Sequence, residues 1–250
     1  MQPLLDICTE NFAIAAVVLA ALLFSVVELC WPNKAHGLSW RWNFQAVAFA
    51  LLGVLLTVLT GNGFEAQLQK FHLFSPLGAL PDWASGFAAY LVVTFFVYWW
   101  HRARHASNML WRIFHQLHHS PHRIQAFTAF YAHPADFLCN TLIVNLVAYL
   151  LLGLSVSGAA WAALWVGLFE IWEHVNIRTP RWLGYIIVRP EMHRIHHERE
   201  KHVNNYGLPV WDMIFGTYEN SLRQVECGFA PQLEQRLLPM LLTRDVHKAD

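Results

Sequence analysis

The chain has 250 residues, of which 56% are hydrophobic and 14% charged, with 17 Lys and Arg balanced by 17 Asp and Glu. That composition excludes an ordinary water-soluble domain and points to an integral membrane protein. A formal charge of zero, with no basic field, gives no support for nucleic-acid binding.

Residues 11–31 form an almost unbroken apolar run with Glu28 near its end, and roughly 20 residues match a ~30 Å hydrocarbon core. No Lys or Arg precedes Lys34, so the run lacks the positive flank of a cleaved signal peptide and is expected to stay as an anchor. Pro32 to Gly37 breaks the helix, Trp40-Arg41-Trp42 supplies interfacial anchors, and residues 44–60 form a second span. Residues 61–81 are expected as a loop holding one interfacial helix at 64–74. A third span covers 83–100, and its helical pattern runs on into His101 and His105, one turn beyond the membrane.

Residues 137–169 carry no charge and would make one helix of about 50 Å at ~1.5 Å per residue. Gly153 and Ser155 to Gly158 interrupt this run, which predicts a membrane hairpin with arms of about 16 residues each. Its ends, Asp136 and Glu173, then lie on one side. Lys34 and Arg41 mark the first loop as cytoplasmic, and Arg102, Arg104, Arg112 and Arg123 mark the segment after the third span likewise. The expected fold is an all-α integral membrane protein with about three spanning helices, a membrane hairpin and a cytoplasmic helical cap, the N-terminus being outside. The cysteines Cys8, Cys30, Cys139 and Cys227 lack C-x-x-C spacing and suggest neither a disulfide framework nor a thiolate metal site.

Histidines dominate the polar sequence. His101/His105, His115/His118/His119 and His193/His196/His197 recur at i, i+3 or i+4, so each group is expected to form one imidazole stripe on a helix face. Packing needs no such repetition. Neutral imidazole suits iron, zinc, copper or nickel, and eight rings exceed what one ion takes, which implies two metal ions near each other.

The ordered boxes H-x3-H, H-x-x-H-H and H-x-x-H-H, with Asn205-Tyr206-Gly207, Trp211-Asp212 and Phe215 to Tyr218 after them, resemble the fatty acid hydroxylase and sterol desaturase superfamily of membrane di-iron enzymes. The resemblance covers about residues 88–218. It implies a ninth ligand, His174, nineteen residues before His193, while Arg178 stands where some members carry another histidine. His133 matches a His-Pro feature of relatives and is expected to start a helix. The resemblance implies two Fe ions as cofactor, with zinc possible in purified protein, and O2-dependent hydroxylation or desaturation of a lipid such as a fatty acyl chain or sterol. Glu170, Glu173, Glu191 and Glu198 are expected to accept imidazole N–H bonds and orient the ligands. No dinucleotide fingerprint is present, so electrons are expected from a separate reductase or a cytochrome- or ferredoxin-type carrier docking on the segment after Arg178. The domain reading is an anchor at 1–87, a catalytic domain at 88–220 and a cytoplasmic tail at 221–250. The alternatives are a dizinc hydrolase, which lacks the usual H-E-x-x-H helix, and a metal transporter, whose site would belong at mid-membrane. His36, His72, His122, His202 and His247 lie off the pattern and are expected to be non-ligands.

Overall fold

The computed structural model describes residues 2–37 and 39–248, apart from the side chains of 2–11, 61–66 and 69, so that Cys8 lies outside the described side chains. The architecture is helical, and among the described residues β structure is confined to an isolated bridge between Glu198 and Cys227. Its framework is α1 (Gln2–Cys30), α2 (Trp40–Leu68), α3 (Asp82–Ala106), α4 (108–119), α5 (134–151) and α6 (Val156–His174). Among the described residues, four segments are long and apolar enough to cross a membrane: Phe12–Cys30, Trp40–Thr60, Asp82–Ala106 and Pro134–Leu151. With no water to satisfy backbone groups in hydrocarbon, helices are what such runs form.

The helix ends gather at two poles. At one, Ser155 caps α6 by accepting from Gly158 N at 2.9 Å and donates to Asp82 Oδ1 at 2.6 Å, while Leu73 N donates to Leu150 O at 2.7 Å. Gly153 turns the hairpin with φ of +60°, a left-handed conformation that a side chain would strain. At the other pole lie the ends of α1, α3 and α6, the starts of α2 and α5, and every boxed histidine. The bundle centre is built on small residues: Ala89, Val93, Ala148, Ala159 and Ala162 are buried between α3, α5 and α6. A Cβ at Gly86 would stand 2.6 Å from Gly158 O and collide with Trp161, so this glycine sets how closely α3 approaches α6.

Three sequence expectations change. Residues 61–68 continue α2 as helix, followed by a short turn at Gln69–Phe71, in place of a loop with its own helix at 64–74; nothing in this stretch breaks the span until past Leu68. The hairpin arms are 18 and 19 residues, about 27 and 28 Å at ~1.5 Å per residue. They are longer than expected because Pro134 opens α5 before Asp136, and α6 runs on to His174. The segment expected as a tail folds back: Phe229, Met240 and Val246 are buried with Trp42 and Leu117, and Gln116 bonds to Arg244 O and Val246 N.

α1 is locked to the histidine pole by one buried carboxylate. Glu28 accepts from Ala126 N at 3.0 Å and Asn176 N at 2.9 Å. Glu28→Leu strands both donors, each worth about 1–3 kcal/mol when buried without a partner. The expected result is a clear fall in melting temperature in detergent, measured by thermal unfolding of the purified protein.

Candidate metal centre

Four helices deliver the histidines. His101 and His105 stand one turn apart near the end of α3. α4 carries His115, His118 and His119, its middle turn Trp111–His115 being π-helical, a wide turn that recurs at functional sites. His174 ends α6. His193 and His196 lie on α7 (Pro190–His196), opened by Pro190 at its first turn, with His197 directly after.

The rings form two sets. His101, His105, His115, His119 and His196 each offer a ligand atom within 4.8 Å of the others, and so do His118, His174, His193 and His197. The His101/His105 box faces one set as a single stripe, whereas neither H-x-x-H-H box does. His115 and His119 face the first set and His118 the second, whereas His193 and His197 face the second and His196 the first. Positions i and i+4 share a direction on a helix and i+3 diverges from them, so each H-x-x-H-H element faces two centres at once. The sets adjoin, with His119 and His197 stacked at 4.1 Å between ring centroids.

The donor chemistry fits metal ions. Nε2 atoms approach at 2.8 Å for His101 and His115, 3.1 Å for His115 and His119, and 3.1 Å for His119 and His196. In the second set they approach at 3.2 Å for His118 and His174, 3.1 Å for His174 and His193, and 3.1 Å for His193 and His197. Two nitrogens at right angles, each ~2.0–2.1 Å from an ion, would be about 2.9 Å apart. Three tautomers follow from backbone carbonyls, which can only accept: His101 Nδ1 donates to Tyr206 O at 2.8 Å, His196 Nδ1 to Asn204 O at 2.7 Å and His174 Nδ1 to Glu170 O at 2.7 Å. Their Nε2 lone pairs therefore point into the clusters. His105 Nε2 is buried with no hydrogen-bond partner. Converging lone pairs repel unless a cation lies among them.

The supporting groups differ from the expected carboxylates. Backbone carbonyls do the orienting, including that of Glu170. Glu173 Oε1 lies 3.4 Å from His193 Nε2 and 3.9 Å from His174 Nδ1, bordering the second set, and Glu170, Glu173 and His174 form a third potential ligand group. Glu191 accepts from the Thr179 amide and hydroxyl and pairs with Arg189 at 3.1 Å; Glu198 pairs with Arg223 and Lys201. Both lie where arginine outcompetes a ring N–H. His202 Nδ1 meets His119 Nδ1 at 3.1 Å, so this off-pattern residue holds a ligand ring from behind. Its positive φ of 46° places it in an irregular loop, where no periodicity could reveal it. His133 caps α5, accepting from Ala135 N and donating to Leu241 O. Behind His115 a buried pair joins α3 to α5: Arg104 Nη1 reaches both Asp136 oxygens at 2.7 Å, and Asp136 Oδ2 is 3.8 Å from His115 Nδ1.

Burial holds His115, His118, His119, His193 and His197 well below the ordinary imidazole value, and His196 at about 3. The unfolded chain takes these protons near 6.5 and the folded chain does not until far lower pH. Their contribution is intact above 6.5 and is lost as pH falls toward 3. The metal-free protein should therefore melt progressively lower between pH 7.5 and 5; thermal unfolding in detergent across that range is the check, and a flat profile would contradict this burial.

Spanning helices that end in two adjoining imidazole clusters define a histidine-box membrane protein. The chain belongs to the fatty acid hydroxylase family, whose profile matches residues 86–217. It is similar to ornithine lipid hydroxylase OlsE of Rhizobium tropici, at 31% identity over 77% of this chain and 65% of that one. Alkylglycerol monooxygenase of Homo sapiens is 31% identical over 64% of this chain and 36% of its own length. Sphinganine C4-monooxygenase 1 of Arabidopsis thaliana is 26% identical over 70% of this chain and 67% of its own. The chain thus spans only part of each relative. No solved structure matches it.

Proposed function

We propose that this protein is a membrane-bound lipid monooxygenase with a di-iron centre held by His101, His105, His115, His119 and His196 on one side and His118, His174, His193 and His197 on the other. The single observation that carries the reading is the convergence of nine neutral imidazoles in two adjoining sets. The names of the three relatives given above, lipid hydroxylases and monooxygenases, support oxidation of a lipid C–H bond, although other relatives of similar identity are named very-long-chain aldehyde decarbonylases. The balanced reaction takes the C–H bond, O2, two electrons and two protons to C–OH and water, the electrons coming from a separate carrier protein. Bound iron would supply the redox capacity and the open positions for O2 that imidazoles lack.

The chain's own residues supply the frame. The carbonyls of Asn204, Tyr206 and Glu170 hold three rings in one tautomer, His202 braces His119, and the Arg104–Asp136 pair fixes α3 against α5. A cavity of about 440 Å³, lined by Arg102, His105, Trp111, His202 and Tyr206 among others, opens onto the first set and gives a small molecule or polar headgroup a way in. The histidine pole is assigned to the cytoplasm: it carries Lys34, Arg41, Arg112 and Arg123, whereas at 61–81 and 152–155 the basic residue is Lys70. Residues 88–220 form the catalytic unit on the anchor at 1–87.

The test is metal analysis of the purified protein together with mass spectrometry of lipids from cells with and without it, grown under 18O2. Two irons per chain and a lipid product carrying one 18O atom are expected. A new double bond without label would move the reaction to desaturation. Zinc-dependent activity without O2 would replace the reading with a hydrolase.

A further inference from the structure

The cap contains a short helix packed against the side of a candidate span. α8 (Pro209–Ile214) lies along the side of α3, with Trp211 Nε1 donating to Thr94 Oγ1 at 2.9 Å. The Trp211 ring meets Phe95 at 5.2 Å, and Phe215, directly after the helix, meets Trp99 at 4.8 Å. Thr94 is about 18 Å along α3 from Asp82 at ~1.5 Å per residue, and the hydrocarbon core is ~30 Å thick. Thr94 therefore lies near mid-bilayer, and a helix touching it lies inside the leaflet on the histidine side.

The outward surface agrees with that depth. Val210, Met213 and Ile214 are exposed, Ile214 at 61%. Beside α8 the turn Arg181–Tyr185 and the residue after it expose Trp182, Tyr185 and Ile186, the last at 69%. These six side chains continue the exposed apolar surface of the span itself, where Phe96 and Trp99 are also open. In water so much contiguous large apolar surface would be a liability. Exposed Trp and Tyr beside exposed aliphatic side chains is a composition found at membrane interfaces.

We infer that α8 and the turn at 181–186 are immersed in the bilayer and take the acyl chains of the leaflet on the histidine side as their partner. The occupant is committed to lipid by continuity with the lipid-facing side of α3. Immersion also bears on the metal centre, because Asp212 of α8 accepts from Tyr206 N at 2.9 Å and Gly207 N at 3.2 Å, and Tyr206 O orients His101. Lipid contact at α8 is thus two hydrogen bonds from a metal-ligand ring.

The experiment uses the full chain in phosphatidylcholine nanodiscs with a photo-crosslinking residue, Ile214→benzoylphenylalanine and, separately, Met213→benzoylphenylalanine. Glu226→benzoylphenylalanine, at a strongly exposed charged site on the cap, is the control. After irradiation, intact mass spectrometry should show a shift of one phospholipid at positions 213 and 214 and none at 226. Absence of lipid adducts at both positions, in protein that elutes as the native chain does, would overturn the inference. Adducts with the mass of a second copy of the chain would overturn it in favour of a dimer contact.

Discussion

If the proposed two-ion centre is right, His118→Ala should lower bound metal from two ions per chain to about one and reduce turnover more than about 100-fold, beyond the 10–100-fold typical of losing an outer partner. His118 is one of four imidazoles in the second set, and the ring beside it in sequence, His119, belongs to the first. His119→Ala removes one of five donors, so the first set keeps four nitrogens; weaker metal retention under chelator is expected, with the second ion undisturbed. The two variants should therefore differ in which ion dissociates first, a difference visible by metal analysis after graded chelation even where both are inactive. His202→Ala, which removes only the ring behind His119, should fall within the outer-partner range. Equal loss of both ions from His118→Ala and His119→Ala would show that the sets do not divide the boxes as the geometry has it.

Arg104→Leu is expected to destabilise the fold by about 3–5 kcal/mol, the scale for breaking a buried ion pair from one side. Asp136 is 3% exposed and its carboxylate faces Arg104 at 2.7 Å. Without the guanidinium a charge remains in a low-dielectric site beside His115. The double variant Arg104→Leu with Asp136→Leu should recover most of the loss, because an apolar pair can replace a buried ion pair at little net cost. Thermal or denaturant unfolding of the four proteins of this cycle is the measurement. A double variant no more stable than Arg104→Leu alone would mean that the pair acts through hydrogen bonds to the site and not through charge.

The membrane helices were legible because hydropathy, charge exclusion and length act locally. The hairpin turn announced itself through Gly153 and the Ser155 cap, and the boxes through helical spacing. The division of each H-x-x-H-H box between two centres was not legible, because spacing places rings on a helix face but says nothing about which neighbouring helix each ring meets. Four residues proposed as acceptors were carboxylates; the acceptors found for His101, His174 and His196 are peptide carbonyls, which every residue possesses and no sequence pattern marks. The Arg104–Asp136 partnership joins residues on different helices, and its members read separately as interfacial charges. α2 ran further than expected because an uninterrupted helix needs no signal to continue, and Gly61 and Gly63 are tolerated inside it.

α7 has seven residues, far fewer than an isolated helix needs to persist in water. Its shape is therefore borrowed from its surroundings, and it is the last of the helices carrying boxed histidines to be synthesised. Until it docks, the rings of α3, α4 and α6 supply only six of the nine converging imidazoles. A metal centre of the proposed kind is therefore complete only once this short segment has found its place.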